Sequence, residues 1–546
     1  LEEYEVRKNT KDYIINHINQ YIENYISTYK ENISFLLYYP LISIEMRFQE
    51  VTPNHQNAII DRYAISWFIG KIFEKGINLD LKLEYRENEF IYFKNNIFNK
   101  IIALYRDFLL CDQIMDMSSI AKSQFELCGP NKFKFTAAII EGGFRKEYIY
   151  YHGLDNSGFN LEKDVKKKPA DKLVEKYAHF GPKSFQKLKR LPIDIDREIL
   201  DLCFDCVQVD LDYLGGNVKS TVIKNINELN LIIGFYYYCS MITEYAFSMG
   251  KVFNKVSSSF DTLFYYDKVW FINKVSQYTD LSVGKVEKYL NYFVFNGRGS
   301  LQEFPIILNK DKILFIPSSW MLNDLQYSLV NGHYYKNETF RNRDKTISHS
   351  VVNTITSKVE NFENIIFGQE VYYEFYDNAT KINSDVDVTL YDKYSNTFIV
   401  IECKWKDNHY VFAGEENYKK IHQSLNDIYS DQINKHKAFI KNDKEKLSII
   451  LEGKVEPEEI GDNPDILYIA VDKRSQLFSQ DRMLVPLNGL MVLLDIYSNG
   501  TILNLNKVVE SLRQQKTNAS YINEGNFKEL KISDEIILVT EDLYSF

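Results

Sequence analysis

With 546 residues, 45% of them hydrophobic and 26% charged, the chain exceeds what one hydrophobic core supports and is too apolar to be disordered throughout. A formal net charge of −10 excludes coating of nucleic acid by bulk electrostatics, yet it leaves room for a local basic groove beside bound cations. Six cysteines in no regular framework, and no secretory signal at the start, lead us to expect a reducing cytoplasm.

The 40 Tyr and 36 Phe follow a general residue bias and are read as core and surface material rather than as a base-stacking platform. Residues 1–155 read as a helical domain, with Ile14, Ile18, Ile22 and Ile26 recurring at helical spacing. Between 153 and 192 the pattern weakens into a stretch rich in Gly, Pro and lysine (Lys166, Lys167, Lys168, Lys172, Lys183, Lys187, Lys189), read as a connection or a nucleic-acid-facing loop. Helical periodicity then resumes, with short strands near 304–308 and 313–317, so that 156–344 forms a second, mainly helical region.

Within that region the apolar run 231–242 is too short to span a bilayer and reads as a buried helix, so no membrane partner is expected. Cys203 and Cys206 form a C-x-x-C without a second pair; a zinc site would need His179 or Cys239 brought in by the fold. The acids Asp205, Asp210 and Asp212 read as a helix end. No Walker loop, G-x-G-x-x-G, G-x-S-x-G or H-E-x-x-H occurs, which excludes the commonest nucleotide, hydrolase and zincin signatures.

From 345 to 546 the texture becomes α/β: a helix near 348–360, strands near 370–376, 385–391 and 397–405, a long polar helix over about 413–441, and a strand at 466–471. The segment S-D-V-D-V-T-L-Y-D, a polar turn ending at Asn396, and T-F-I-V-I-E-C-K-W-K predict an antiparallel hairpin. Strict alternation puts Asp385, Asp387 and Thr389 on one face and Val386, Val388 and Leu390 on the other, with Glu402 and Lys404 sharing a face. Two charges closing the apolar run 398–401 need a reason. Two carboxylates with room for water suit Mg²⁺ or Mn²⁺, and an adjacent lysine adds fixed positive charge or a general base.

This pattern of Asp387 followed by Glu402-x-Lys404 resembles the PD-(D/E)xK phosphodiesterase superfamily, with its restriction-endonuclease-like fold, in a RecB- or Mrr-like form. The resemblance covers roughly 345–475. It implies a multidomain protein with a helical N-terminal region and a C-terminal α/β nuclease domain built on a central mixed sheet. It further implies catalysis by Asp387, Glu402 and Lys404, a metal held by Asp387, Glu402 and the Cys403 carbonyl, and auxiliary roles for Asp385 and for Gln432, with Gln423 as second choice. No proline precedes Asp387, where Val386 stands.

Glu360 and Glu370 are weak candidates for an upstream acid, and His436 reads as a surface histidine. The substrate expected is nucleic acid, DNA rather than RNA, cut in a Mg²⁺-dependent reaction. The layout is similar to stand-alone restriction or anti-phage defence effectors, with a protein partner or homo-oligomer through the N-terminal region left open. The alternative is a catalytically inactive nuclease fold that binds nucleic acid or serves assembly.

Overall fold

A computed structural model of the chain describes residues 2–50, 55–80, 84–105, 107–108, 124–129, 132–136, 163–177, 187–212, 223–252, 258–321, 343–377, 379–404, 428–472, 483–518, 527–531 and 537–541. It divides into two compact units, one of residues 1–7, 112–159 and 344–546, the other of 8–111 and 160–343. The boundary near 344 coincides with the one read from sequence. The boundary near 155 does not: 8–111 and 160–343 form a single unit. Part of the segment between them, Lys132–Thr136, pairs in parallel with Ile537–Glu541 at the far end of the chain. The expectation that residues 1–155 are helical therefore fails at Gln124–Gly129 and Lys132–Thr136, which form an antiparallel pair.

The helical unit is built on long helices such as His55–Glu74, Arg197–Asp212 and Ile226–Val252, with a three-stranded antiparallel sheet of Phe264–Asp267, Lys312–Phe315 and Ile306–Asn309. The apolar run 231–242 is a buried part of Ile226–Val252, and no described helix is long and apolar enough to cross a membrane. Buried Arg62 donates to Ser318, whose amide and hydroxyl donate to buried Glu45, so a buried charge is met by specific partners.

Within the lysine-rich stretch 153–192, Lys163–Tyr177 forms a helix instead of a loop, and Lys183 lies outside the described residues. There Lys172 pairs with Glu175 and Glu198, and Lys176 with Asp196 and Glu198, so these two lysines are engaged within the chain. Cys203, Cys206 and Cys239 are buried and in no disulfide; among the described residues no group of three or more His, Cys, Asp or Glu side chains could hold a metal ion, and His179 lies outside them.

In the C-terminal unit the labels follow the chain: helix α1 (Arg343–Val359), strands β1 (Ile365–Asp377), β2 (Thr380–Asp392) and β3 (Thr397–Lys404), helices α2 (Asn434–Ile440) and α3 (Lys444–Ile450), strands β4 (Asp465–Asp472) and β5 (Leu484–Pro486), and helices α4 (Leu487–Ile496) and α5 (Leu505–Asn518). The sheet order is β5-β4-β3-β2-β1. The β1–β2 and β2–β3 pairs are antiparallel, whereas β3–β4 and β4–β5 are parallel, which makes the sheet mixed. The β2–β3 turn is closed by Asp392, whose carboxylate accepts from the Tyr394 amide at 3.0 Å and the Ser395 hydroxyl at 2.7 Å, with Asn396 in the left-handed region.

Both faces of the sheet are covered, which is why β3 is buried from Thr397 to Cys403 and apolar from Phe398 to Ile401. Ile399, Ile401 and Cys403 pack with α1, α4 and α5 on one face, while Phe398 and Val400 pack with Phe439, Ile440, Leu447 and Ile450 of α2 and α3 on the other. The long polar helix expected over 413–441 is described only from 428, as a π-helical turn Ile428–Ile433 leading into α2.

Gly368 in β1 lets the sheet approach α3 closely, since a Cβ there would collide with the Ile450 carbonyl oxygen and stand 3.1 Å from Leu451 Cα. Both obstacles are backbone, which cannot rotate away. Gly368→Ala should therefore destabilise this unit by about 3 kcal/mol, at the upper end of overpacking costs, read from its urea-unfolding midpoint; an unchanged midpoint would mean that α3 shifts freely.

Candidate functional site

The ladder between β2 and β3 runs from Asp392↔Thr397 to Val388↔Ile401 and stops there, one step before Asp387 would face Glu402. Beyond that point β3 continues its parallel pairing with β4 as far as Lys404↔Asp472, while β2 continues along β1. The two strands thus fork. At the fork the Cys403 amide donates to Asp387 Oδ2 at 2.6 Å, a side chain taking the place of a ladder carbonyl.

A second irregularity lies on the other side of Asp387. β1 pairs through Gln369↔Val388 and Val371↔Val386 but not at Glu370, whose φ of 49 is left-handed. Side chains change face across this break. In β2, Val388 and Leu390 join the α1 side of the core, whereas Val386 joins the α2 side; in β1, Phe367 packs on the α1 side and Tyr373 on the α2 side. Strict alternation through Asp387, as read from the sequence, therefore does not hold. Val386 lies on the opposite face from Val388, and Asp385, its neighbour, is turned with exposed Tyr372 away from the α2 side. Asp385 is exposed and acts on Asp387 only as the weakest of its electrostatic neighbours.

Glu402 is 1% exposed and carries two partners: Lys404 Nζ at 2.7 Å from Oε1 and His436 Nε2 at 3.1 Å from Oε2. His436 is itself fully buried, and its Nδ1 stands 2.6 Å from the Tyr373 hydroxyl. His436 thus belongs to the site rather than to the surface. Ile433, His436 and Ile440 recur at helical spacing on the buried face, and Phe439 stacks on Tyr373 at 4.1 Å. That spacing, I-x-x-H-x-x-F-I, is the sequence signal that marks His436 as inward. Gln432, by contrast, sits half-buried in the π-helical turn, and among the described contacts none joins it to Asp387, Glu402 or Lys404. Gln423 lies outside the described residues.

Glu370 pairs with His349 of α1 at 2.8 Å, both partly exposed, and Glu360 is exposed just beyond the end of α1. Glu370 sits where the β1–β2 ladder is interrupted, beside Asp387.

Burial, followed by the charge of Glu402, pushes the Asp387 carboxyl up to about 8, against the pull of Lys404 and the Cys403 amide. For Glu402, burial works against ionisation, but the His436 hydrogen bond and the Lys404 ammonium outweigh it and hold the carboxylate below its ordinary value. Burial opposes the charge on Lys404 as well, yet Glu402 and Asp387 keep it above the usual lysine value. At neutral pH the group therefore holds a protonated Asp387, an ionised Glu402 and an ammonium.

The donor set suits a hard cation. Asp387 and Glu402 offer carboxylate oxygens, and the Cys403 carbonyl leaves β3 on the same edge as its amide, toward Asp387. Burial raises the Cys403 thiol, whose side chain lies on the α1 side of the core, so only its carbonyl would serve. No third His, Cys, Asp or Glu side chain completes a metal cluster among the described residues, so a cation here would draw on that carbonyl and on water, as Mg²⁺ commonly does. In comparisons with protein-family models, curated proteins and solved structures, nothing matched the chain.

Asp387 links the site to stability. Its folded-state value of about 8 stands above the ordinary carboxylate value, so the contribution of its proton is fully present below pH 4, declines as the pH rises toward 8, and is absent above it. In chelator-containing buffer, Asp387→Asn should flatten the loss of stability between about pH 4 and 8 seen in the parent chain. Parallel stability–pH curves for the two proteins would contradict a half-buried, protonated Asp387.

Proposed function

We propose that the C-terminal unit is a metal-dependent nuclease of the PD-(D/E)xK kind, hydrolysing phosphodiester bonds in nucleic acid, with DNA as the first substrate to test. The observation that supports this reading is the convergence of Asp387, Glu402 and Lys404 at the fork between β2 and β3, at the end of the apolar run Phe398–Ile401. Mg²⁺ or Mn²⁺ bound by Asp387, Glu402 and the Cys403 carbonyl would supply Lewis acidity and an activated water.

The chain's own groups have separable tasks. Glu402 supplies the ionised carboxylate that would attract a cation, and Asp387 a carboxyl that would give up its proton to hold one. Lys404, held charged by its neighbours, orients the attacking water and offsets charge on the phosphate in the transition state; its raised value argues for this electrostatic role over that of a general base. Asp385 and Gln432 have no part in this assignment. In this reading the helical unit recognises a target or a signal, and the chain works as a restriction or anti-phage defence effector in the cytoplasm.

Incubation of the purified protein with labelled DNA and RNA panels in Mg²⁺, Mn²⁺ or EDTA tests the proposal. Cleavage is expected with either metal and not with EDTA. Lys404→Ala should lower the cleavage rate by about 10²–10³-fold or more while oligonucleotide affinity stays within a few fold. Binding without cleavage under every metal condition would favour the inactive nucleic-acid-binding subunit instead.

A further inference from the structure

The two oxygens of Glu402 are held differently. Oε1 is taken by Lys404, which is partly exposed, whereas Oε2 is taken by His436 in the fully buried layer beneath the sheet. Behind His436 the hydrogen bonds continue to Tyr373, which faces Ser384 across the β1–β2 ladder.

An ionised carboxylate can only accept, so the imidazole must present a proton on Nε2 to Glu402. A neutral imidazole then accepts at Nδ1, and the Tyr373 hydroxyl has its own proton to give there. Both bonds of the row Tyr373, His436 then point toward Glu402, an order in which each bond strengthens the next. Tyr373 cannot swing out of line, because its ring stacks on Phe439 at 4.1 Å and meets His436 edge-on at 5.8 Å.

We propose that Tyr373 and His436 are positioning residues that clamp Glu402 through Oε2, so that Oε1 is the oxygen presented to a divalent cation. The inference rests on the nuclease reading above. A glutamate side chain free to turn loses rotamer freedom when it is captured, and the clamp removes that cost before binding. It also separates the two oxygens of Glu402: with Oε2 fixed by His436, Oε1 would be the oxygen to hold a cation and Lys404 would be left to face the phosphate. Groups that orient a ligating side chain from behind commonly account for 10–100-fold in metal affinity.

The test is calorimetric titration of Mn²⁺ into metal-free, full-length protein carrying His436→Phe, His436→Gln or Tyr373→Phe, or both His436→Phe and Tyr373→Phe. His436→Phe should weaken binding roughly tenfold or more. His436→Gln, whose side-chain amide can reach the Nε2 position, should recover most of that loss. Tyr373→Phe removes one oxygen and keeps the ring stack, and should cost a few fold. The double variant should bind no more weakly than His436→Phe alone, because Tyr373 acts through His436. Parent-like affinity in both single Phe variants, or fully additive losses in the double, would overturn the clamp.

A parent chain that binds no Mn²⁺ would instead overturn the nuclease reading. The clamp is then decided by ¹⁵N-imidazole spectra of the metal-free protein. A proton on His436 Nε2 whose resonance moves in Glu402→Gln and in Tyr373→Phe supports it, and a bare Nε2 refutes it.

Discussion

Asp387 and Glu402 lie next to each other in a site largely closed to water, and two like charges there repel more strongly than at a surface. Everything around them answers that repulsion. Lys404 and His436 both go to Glu402, which keeps its charge, while Asp387 takes an amide from Cys403 and keeps a proton. The asymmetry has a simple origin: Glu402 has an ammonium and an imidazole as hydrogen-bond partners, and Asp387 has a backbone amide. A divalent cation would lift the same repulsion directly, by pulling both carboxylates into their charged forms.

That arrangement requires a sheet that stops being regular at one place. Were β2 and β3 laddered to their ends, the Cys403 amide would be spent on a backbone carbonyl and Asp387 would have no fixed partner. The break at Glu370 completes the geometry by turning the far halves of β1 and β2 over, which brings Tyr373 to the α2 side, where His436 waits. A left-handed glutamate costs about 1–2 kcal/mol, and such backbone strain persists where surrounding packing enforces it. Here the enforcing contacts are the two apolar layers on either side of β3.

The hairpin, its antiparallel sense and the proximity of Asp387 to Glu402 and Lys404 were legible because they depend on local rules: a turn ending at Asn396, an apolar run, and charges where a buried strand should have none. The switch of faces at Asp387 was not, since a glutamate at Glu370 gives no sign of positive φ as a glycine would. Asp385 was misplaced for the same reason. His436 was read as exposed because the segment around it is rich in lysine and asparagine, although Ile433, Phe439 and Ile440 already outline a buried stripe. Tyr373 carries no polar signature in the sequence, and its role depends on Phe439 and His436 arriving from α2. The pairing of Lys132–Thr136 with Ile537–Glu541 joins segments too distant in sequence for any local pattern to announce.

The account stands on one claim, that Asp387 and Glu402 share a single divalent ion with the Cys403 carbonyl. Anomalous diffraction from crystals grown with Mn²⁺ addresses it most directly. The account predicts one manganese peak with oxygens of both carboxylates about 2.0–2.6 Å away and His436 still bonded to Glu402. A site without manganese, or manganese bound elsewhere while Lys404 keeps Glu402, would contradict it.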